Sequence, residues 1–439
     1  MALKLKPYPK YKESGVPWLG KIPREWETGR AKWLFRKKSR PFPPTADVVT
    51  CFRDGIVTLR KNRRERGFTE SLKEIGYQGV KKSDLVIHAM DAFAGAVGVS
   101  DSEGKCTPVY AVCEPIDNAI THFYAHVVRQ MARSQWIAAL AKGIRERSTD
   151  FRFEGFANQI VPIPPNEKQV QIAKFLAQFG RWVNRLIRSK RRLIELLNEQ
   201  KQAIIHQAVT RGLDPNVRLK PSGIEWLGDV PEYWEVVPLK RVARLHRGYD
   251  LPDYKRHPGE FPIVSSGGVI GLHSNKMVDG PGVVTGRYGS TGVVYYIESD
   301  FWPHNTSLYV SDFCGNVPRF AFYLLHIMTF NAYNDKAAVP GIDRKDLHTI
   351  KVVCPSHGEQ TAIAKSLDGQ MERLEVLISK IGREIECLRE YRTRLIADVV
   401  TGKLDVTGVK LTETEMEIEF DDDVERNEPE IDEAVRSDE

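Results

Sequence analysis

The sequence has no long hydrophobic run, and this absence argues against a membrane-spanning protein. A helix that crosses a bilayer needs about 20 consecutive apolar residues, and no stretch of the 439 residues approaches that length. The first residues, MALKLKPYPKYKE, contain lysine and proline where a secretory signal peptide requires an apolar segment. We therefore expect a cytoplasmic protein with no membrane partner. Its length allows two or three domains, since single cores stop growing below this size.

Cysteine is also scarce, and its positions do not suggest a metal site. There is no CxxC pair and no Cys/His arrangement at zinc-ligand spacing. His122 and His126 are four residues apart, as on a zinc-binding helix, but no glutamate base lies between them. We interpret both as core or surface histidines. We expect no bound metal and reduced, structural cysteines, namely Cys51, Cys106, Cys113, Cys314, Cys354 and Cys387.

Several catalytic motifs are missing. An amino-methylating DNA methyltransferase needs an NPPY or DPPY tetrapeptide, and the nearest strings, PFPP (41–44) and IPPN (163–166), lack the aromatic residue. No GxxxxGK[ST] phosphate-binding loop is present. Gly286, Gly289 and Gly292 form GxxGxxG rather than the GxGxxG of dinucleotide-binding folds, and they lie between strand-like stretches, so turns are the favoured interpretation. We expect no catalysis by this chain.

Positive charge is concentrated before the C-terminal tail. The net charge of the whole chain is +6, but residues 411–439 contain 14 acidic residues and two arginines. Residues 1–410 therefore carry 62 Lys+Arg and 44 Asp+Glu, a balance of +18. This excess suits a polyanion such as DNA, although charge alone does not indicate sequence recognition. We expect the acidic tail to be disordered, either as an aid to solubility or as a mimic of DNA.

Two internal repeats show that the chain is built from two similar halves. SGVPWLGKIPREWE (14–27) recurs as SGIEWLGDVPEYWE (222–235), an offset of 208 residues. VPIPPNEKQVQIAKFL (161–176) recurs as VVCPSHGEQTAIAKSL (352–367), an offset of 191 that continues without a gap to TRGLD and TGKLD. The segments between, 29–160 and 236–350, resemble each other only faintly, and the best alignment sets Gly95 over Gly292. One scaffold thus carries two divergent segments.

The divergent segments alternate Val/Ile/Tyr-rich runs with Gly, Pro and Asn turns, which predicts strands followed by a helix in each. The repeated segments from about 167 and 358 predict two long helices that end at glycine. Apolar residues at 3.5-residue spacing favour a coiled coil between the two copies over two separate amphipathic helices. If a pseudo-two-fold axis relates the halves, the helices run antiparallel. The predicted apolar seam is Leu176, Phe179, Val183, Leu186, Leu193, Leu197 and Ile204 in the first helix, and Leu367, Leu374, Leu377, Ile381, Leu388 and Leu395 in the second.

Taken together, these motifs resemble those of the specificity subunit of Type I restriction-modification systems. The resemblance rests on the doubled WLG-x-hydrophobic-P-xx-W motif (18–26 and 226–234), the Pro-rich leader into each long helix, and VVTGRYGSTG…FWPHNTSLYV (283–310), which is similar to the core of a target-recognition domain. It covers residues 11 to about 406. In the first leader, Glu167-Lys-Gln stands where the second has adjacent Glu359-Gln360, and the acidic tail has no counterpart in the resemblance.

The resemblance implies a mixed α/β fold with two target-recognition domains separated by an antiparallel coiled coil. Each domain would read one half of a split target in double-stranded DNA, while the helices set the spacer and dock two copies of a modification methyltransferase subunit. Restriction/translocase subunits would join that core, and S-adenosylmethionine, ATP and Mg²⁺ would belong to these partners. The expected segments are an N-terminal arm (1–28), recognition domain 1 (29–165), helix 1 (166–212), a linker (213–235), recognition domain 2 (236–356), helix 2 (357–403) and the tail (404–439).

Residues that contact DNA should be cationic or amide-bearing side chains in the divergent segments, because these side chains read bases and bind phosphates. The densest cluster is KNRRERGF (61–68), for which a solvated basic loop is the alternative. Tyr249 fits a turn or packing role almost as well. The candidates are Lys61, Asn62, Arg63, Arg64, Arg66, Lys81, Lys82, Arg145 and Arg147 in the first domain, and Arg247, Tyr249, Lys276, Arg287, Tyr288, Ser290 and Arg344 in the second.

Two other functions remain open from the sequence. A stand-alone DNA-binding regulator would bind its site without an enzyme partner, and a basic structural coiled-coil protein would bind DNA without sequence preference.

The four repeated tryptophans cannot distinguish two half-sites, because they are the same in both halves. We therefore assign Trp18, Trp26, Trp226 and Trp234 to core packing or subunit docking.

Overall fold

The computed structural model describes residues 5–63, 74–117, 119–140, 150–288, 292–328 and 342–409. The chain divides into two compact units, residues 1–189 with 384–439 and residues 190–383. Each unit therefore contains one divergent segment and a part of each long helix. Within the described ranges, no helix is long and apolar enough to cross a membrane, and no group of His, Cys, Asp and Glu side chains is arranged to hold a metal ion.

Among the residues that the structure describes, the first unit contains short strands, three short α-helices and parts of both long helices. The strands are β1 (Tyr11–Glu13), β2 (Lys21–Pro23), β3 (Glu27–Arg30), β4 (Phe35–Lys37), β5 (Val49–Cys51), β6 (Val57–Leu59), β7 (Gln78–Val80), β8 (Leu85–His88), β9 (Val97–Val99), β10 (Gly104–Cys106), β11 (Tyr110–Pro115) and β12 (Ile160–Ile163). The helices are α1 (Thr121–Arg133), α2 (Trp136–Leu140), α3 (Phe153–Ala157) and α4 (Asn166–Arg211), the last of which continues into the second unit.

The second unit repeats this arrangement. Its strands are β13 (Leu219–Pro221), β14 (Asp229–Pro231), β15 (Glu235–Pro238), β16 (Arg244–Arg247), β17 (Phe261–Ser265), β18 (Gly268–His273), β19 (Gly282–Gly286), β20 (Val294–Ile297), β21 (Trp302–Pro303), β22 (Ser307–Asp312) and β23 (Lys351–Cys354). Its helices are α5 (Pro318–Ile327), α6 (Arg344–Thr349) and α7 (His357–Val400), and α7 continues into the first unit.

The central sheets of the two units have the same topology. The strand order is β4-β11-β8-β9 in the first and β16-β22-β19-β20 in the second, with all neighbours antiparallel. A hairpin lies beside each sheet, β5–β6 or β17–β18. Gly95 precedes β9 with φ +95°, and Gly292 precedes β20 with φ +88°, a backbone region that favours glycine. The prediction of one scaffold with two divergent segments is confirmed.

A buried glutamine ties each recognition segment to its long helix. Gln169, in the first turn of α4, accepts a hydrogen bond from the backbone N–H of Ile120, just before α1, at 3.1 Å. Gln360, its repeat counterpart in α7, accepts one from the N–H of Val317, just before α5, at 2.9 Å. Each amide also donates to a proline carbonyl of the leader. The glutamines, which are 5% and 1% exposed, thus satisfy N–H groups that a helix start leaves open.

The WLG motifs pack against the ends of the long helices. In the first unit Trp26 is fully buried beside Gly402, the residue at which α7 gives way to a turn with φ +75°. In the second unit Trp234 is buried beside Gly212, which follows α4 with φ +78°. Core packing is therefore the role of these two tryptophans. Each half of the sequence supplies the tryptophan that covers the helix end of the other half.

The long helices run antiparallel. In the first unit the rings of Phe179 and Tyr391 are 5.8 Å apart, and Lys168, closer to the start of α4, lies 3.5 Å from Asp405 beyond the end of α7. In the second unit the ammonium of Lys201 lies 3.0 Å from the carboxylate of Glu375. In these contacts the residue number increases along α4 while it decreases along α7. The antiparallel helix pair is therefore confirmed.

Burial agrees with every second position of the predicted apolar seam, whereas three of the four other predicted positions precede a more buried neighbour by one residue. The shared positions are Leu176, Val183, Leu197 and Ile204 in α4, and Leu367, Leu374, Ile381, Leu388 and Leu395 in α7, all buried or half-buried. Phe179 is buried as well. Of the other predicted positions, Leu193 and Leu377 are 44% and 42% exposed, and Leu186 is less buried than its neighbour Ile187.

The cause of this error is the doubling of apolar residues. The sequence contains the adjacent pairs Leu186-Ile187, Leu193-Ile194 and Leu377-Ile378, so the apolar pattern fits either phase. In the structure Ile187 is buried and Ile194 and Ile378 are half-buried. The spacing still alternates between three and four residues, as in a heptad repeat.

Candidate nucleic-acid interface

In the second unit, several loops meet at one end of the central sheet. The N–H of Gly248, after β16, donates to the carbonyl of Ser307 at the start of β22 (3.1 Å), and the N–H of Arg287, after β19, donates to Thr306 (2.9 Å). The turn of the β17–β18 hairpin joins them, since the N–H of Ser266 donates to the Thr306 hydroxyl at 3.4 Å. We call residues 247–250, 265–268, 286–288, 303–307 and 342–344 the second loop edge.

Five predicted residues of the second domain lie on this edge. Arg287 has its guanidinium 4.5 Å from the ring centroid of Tyr288, which is 36% exposed. The carbonyl of Arg287 accepts from the N–H of Ile342, which brings Arg344 at the start of α6 to the same place. The remaining two are Arg247, which is exposed, and Tyr249, which is half-buried.

Tyr249 has a packing role that limits its reach. Its hydroxyl is hydrogen-bonded to the hydroxyl of Tyr309 at 3.0 Å, and its ring packs edge-on against Trp302. Asn305, also on the edge, donates to Asp250 at 2.5 Å and was missed from the sequence. Asn305 is half-buried. Asparagine can read adenine, but the sequence offers no signal for this residue beyond its position in a loop before a strand.

Lys276 does not lie on the second loop edge. It precedes β19, whereas Arg287 follows that strand, so the length of β19 separates them. The ammonium of Lys276 is 2.7 Å from Asp279 and 2.5 Å from Asp300, and these hydrogen bonds raise its pKa. Lys81 and Lys82 are exposed and likewise precede β8, the equivalent strand of the first unit. The structure therefore does not group these three lysines with the other candidates.

The first unit has an equivalent edge. The carbonyl of Ala89, after β8, accepts from the N–H of Phe151, as the carbonyl of Arg287 accepts from Ile342. Arg53, in the β5–β6 turn, lies 3.0 Å from Asp91 in the connection after β8. We call residues 52–56, 88–95 and 150–152 the first loop edge. Arg53 is not among the residues predicted from the sequence, because one arginine in a turn has no distinguishing pattern.

The predicted basic cluster of the first domain is engaged within the domain. Lys61 is 2.6 Å from Asp47, and the amide of Asn62 donates to the Thr58 hydroxyl at 2.9 Å. Arg63 is 2.6 Å from Asp54 and lies 4.3 Å over the ring of Phe52. The Arg63 side chain is only 15% exposed, and it packs against the β5–β6 turn through Asp54 and Phe52. Five further predictions fall outside the described residues: Arg64, Arg66, Arg145, Arg147 and Ser290.

The two helical histidines that share zinc-like spacing lie within the domain. Burial lowers the pKa of His122 to about 4 and that of His126 to about 3. Both side chains are therefore neutral at pH 7. Their environment on α1, whose residues Phe123, Val127 and Met131 are fully buried, is that of a packed amphipathic helix.

Comparison with known proteins gives one consistent family. The family model described as Type I restriction modification DNA specificity domain matches residues 23–196 and 231–386. The putative type I restriction enzyme MjaX specificity subunit of Methanocaldococcus jannaschii is 23% identical over 433 residues, covering 88% of this chain and 96% of that protein. The type I restriction enzyme EcoprrI specificity subunit of Escherichia coli is 30% identical over 160 residues, 36% of this chain and 40% of that protein.

Solved structures share the fold. A chain from "Structural basis underlying complex assembly and conformational transition of the type I R-M system" superposes with a TM-score of 0.68 at 14% identity, over 87% of this chain and 99% of that one. The HsdS subunit of Thermoanaerobacter tengcongensis gives 0.52 at 16% identity, over 89% and 100%. Because the family model matches two segments that make up most of the chain, this protein belongs to the Type I restriction modification DNA specificity family and carries its domain twice.

Proposed function

We propose that each loop edge reads one half of a bipartite target in double-stranded DNA, and that this chain thereby gives a Type I restriction-modification complex its sequence specificity. The observation that carries the proposal is that one sheet topology occurs twice while the side chains at the equivalent edge differ. The first edge has Arg53 with Asp91, and the second has Arg287 with Tyr288. Different side chains on the same scaffold would select different half-sites.

The second edge offers suitable chemistry for a half-site. Arginine pairs with the O6 and N7 atoms of guanine, and asparagine pairs with adenine. Arg247, Arg287 and Asn305 are groups of these kinds, and an arginine stacked on an aromatic ring, as Arg287 is on Tyr288, has less freedom to lose on binding. We place Lys81, Lys82 and Lys276 at phosphates rather than at bases, since they lie at the opposite end of the central strands from the loop edges.

The long helices would set the unread spacer between the half-sites. α4 has 46 residues and α7 has 44, which at ~1.5 Å per residue is about 69 Å and about 66 Å of helix. This length exceeds what a small domain's core requires. A rigid pair of helices between two reading domains would accept one spacer length and reject others.

The repeated surfaces would dock identical partners. Two copies of a modification methyltransferase subunit can bind equivalently only to features that recur in both halves, such as the WLG motifs and the leaders of α4 and α7. Methyl transfer would then be performed by those subunits, with S-adenosylmethionine bound there, while ATP and Mg²⁺ would serve the restriction/translocase subunits. The two family matches favour this function over a stand-alone regulator or a structural coiled-coil protein.

A domain-duplication experiment tests the proposal. Residues 29–165 are replaced by residues 236–356, so that both reading positions carry the second domain, and the chain is coexpressed with its modification subunits. Sequencing of methylated adenines should give a target with two unlike halves for the natural chain. The duplicated chain should give two identical halves in inverted orientation. Methylation with a single contiguous motif, or a duplicated chain that keeps the natural motif, would contradict the proposal.

A further inference from the structure

The β5–β6 turn of the first unit presents an arginine from a rigid backbone. The N–H of Phe52 donates to the carbonyl of Ile56 at 2.9 Å, and the Asp54 carboxylate accepts from the N–H of Ile56 at 2.9 Å. Gly55 adopts φ +90°, which a side chain would strain. Arg63 supports the turn through Asp54. Arg53 lies between Phe52 and Asp54, so its backbone position is fixed by these contacts.

The side chain of Arg53 is oriented by a carboxylate that is itself fixed. Its Nη2 atom donates to Oδ1 of Asp91 at 3.0 Å. The N–H of Asp91 donates to the Nδ1 atom of His88 at 3.0 Å, and the Asp91 carbonyl accepts from Ala94 and Ala96. Burial lowers the pKa of His88, which favours the neutral ring whose Nδ1 can accept a hydrogen bond. Arg53 and Asp91 are thus each held in a turn whose backbone is fixed by hydrogen bonds.

Arg53 remains open to solvent despite this pairing. Its side chain is 58% exposed and that of Asp91 is 30% exposed. A guanidinium has five N–H donors, and across the described part of the chain the structure shows one hydrogen bond from this group, to Asp91. The guanidinium therefore keeps further N–H donors, and a guanidinium can pair with the O6 and N7 acceptors of guanine.

The charge of the pair favours a base over a phosphate. A lone arginine gains from the phosphate field of DNA, but the Asp91 carboxylate, 3.0 Å from the guanidinium, offsets part of that attraction. A neutral base edge carries no such penalty. The second hairpin turn has Ser266 and Gly267 in the corresponding place, so the feature is specific to the first domain.

We propose that Arg53, positioned by Asp91, reads a guanine in one half-site by a bidentate contact in the major groove. This assignment rests on the proposed function and extends it to a single base pair. Arg53 would be the residue that specifies the base, and Asp91 a positioning residue that holds the guanidinium plane and reduces phosphate binding.

The test uses the full complex and the sequenced methylation pattern of Arg53→Ala, Arg53→Lys and Asp91→Asn. Arg36→Ala is a matched control, because Arg36 and Glu114 form an ion pair of the same exposure (60% and 31%) near the far end of β11. We expect Arg53→Ala to lower discrimination at one guanine of one half-site by about ten- to hundredfold. The other half-site should not change, which also shows that the complex is folded.

The conservative variants separate base contact from charge. Lysine keeps the charge but cannot form the bidentate contact, so Arg53→Lys should also lose discrimination at that guanine, and Asp91→Asn should lose part of it. The proposal is wrong if Arg53→Ala keeps every base preference. It is also wrong if Arg53→Ala lowers methylation equally at all sites and Arg53→Lys recovers it, because that result indicates a phosphate contact. A natural chain without a bipartite motif would instead refute the proposed function itself.

Discussion

Shortening both long helices by one heptad should shorten the DNA spacer. The matched segments are residues 186–192 of α4 and 382–388 of α7, chosen from the pairing of Phe179 with Tyr391 and of Lys201 with Glu375. Their removal joins Val183 to Ile194 at a spacing of four residues and keeps the alternation of the seam. The helix pair therefore keeps its packing while losing two turns.

The size of the effect follows from helix and DNA dimensions. Seven residues at ~1.5 Å each remove about 10 Å, and base pairs are stacked at ~3.4 Å, so the preferred spacer should become about three base pairs shorter. Three base pairs also turn the DNA by about 100°, given ~10.5 base pairs per turn. We therefore expect slower methylation of the new site than of the natural one.

The assay is sequencing of methylated adenines in cells that contain the shortened chain and its modification subunits. Both half-sites should be retained with a shorter gap. A chain shortened only in α4 is the control, because the pairings on either side of the deletion cannot then form together, and it should not assemble a defined complex. An unchanged gap, or an altered half-site with an intact fold, would refute the idea that the helices act as a ruler.

Three substitutions test the packing, and two of them have a control substitution. Leu197→Ala should lower the free energy of unfolding by about 2–5 kcal/mol, since Leu197 is 8% exposed, whereas Leu193→Ala should stay within about 0.5 kcal/mol; equal losses in urea unfolding would mean that the seam is misplaced. Gln360→Leu should cost about 1–3 kcal/mol by leaving a helix N–H unpaired, and an unchanged midpoint would argue against the glutamine tie. Gly402→Ala should destabilise more than Gly20→Ala in thermal unfolding: both have positive φ, but a Cβ at Gly402 would lie 2.3 Å from Pro23, and one at Gly20 meets no atom within 4 Å. A similar shift in melting temperature for both variants would show that the structure accommodates a Cβ beside Pro23 without loss of stability.

The internal repeats make the architecture predictable from the sequence alone. Motifs that recur at fixed offsets show that the chain is one scaffold used twice, and the long apolar periodicity indicates a helix pair. The phase of the seam was not determined, because adjacent Leu-Ile pairs fill both possible positions. Only the packing of α4 against α7 distinguishes Ile187 from Leu186.

The residues of the two edges were harder to predict, for a physical reason. Local density of charge led to Lys61 and Arg63, but a charged residue in a dense cluster often has an intramolecular partner, as Asp47 and Asp54 show here. Arg53 has no basic neighbour in sequence. It becomes a candidate only when the fold brings a turn and the connection after β8 together, which is long-range information.

The placement of Trp26 on Gly402 and of Trp234 on Gly212 has a consequence for the origin of the chain. Each half of the sequence completes the packing of its partner half rather than its own, in the manner of two exchanged arms. A polypeptide of half this length would therefore contain every element required, provided that two copies exchanged their tryptophan arms. Such a homodimer would recognise only palindromic sites. Fusion of the two copies into one gene would then have freed each domain to diverge, and asymmetric targets would have become accessible without any change in the scaffold.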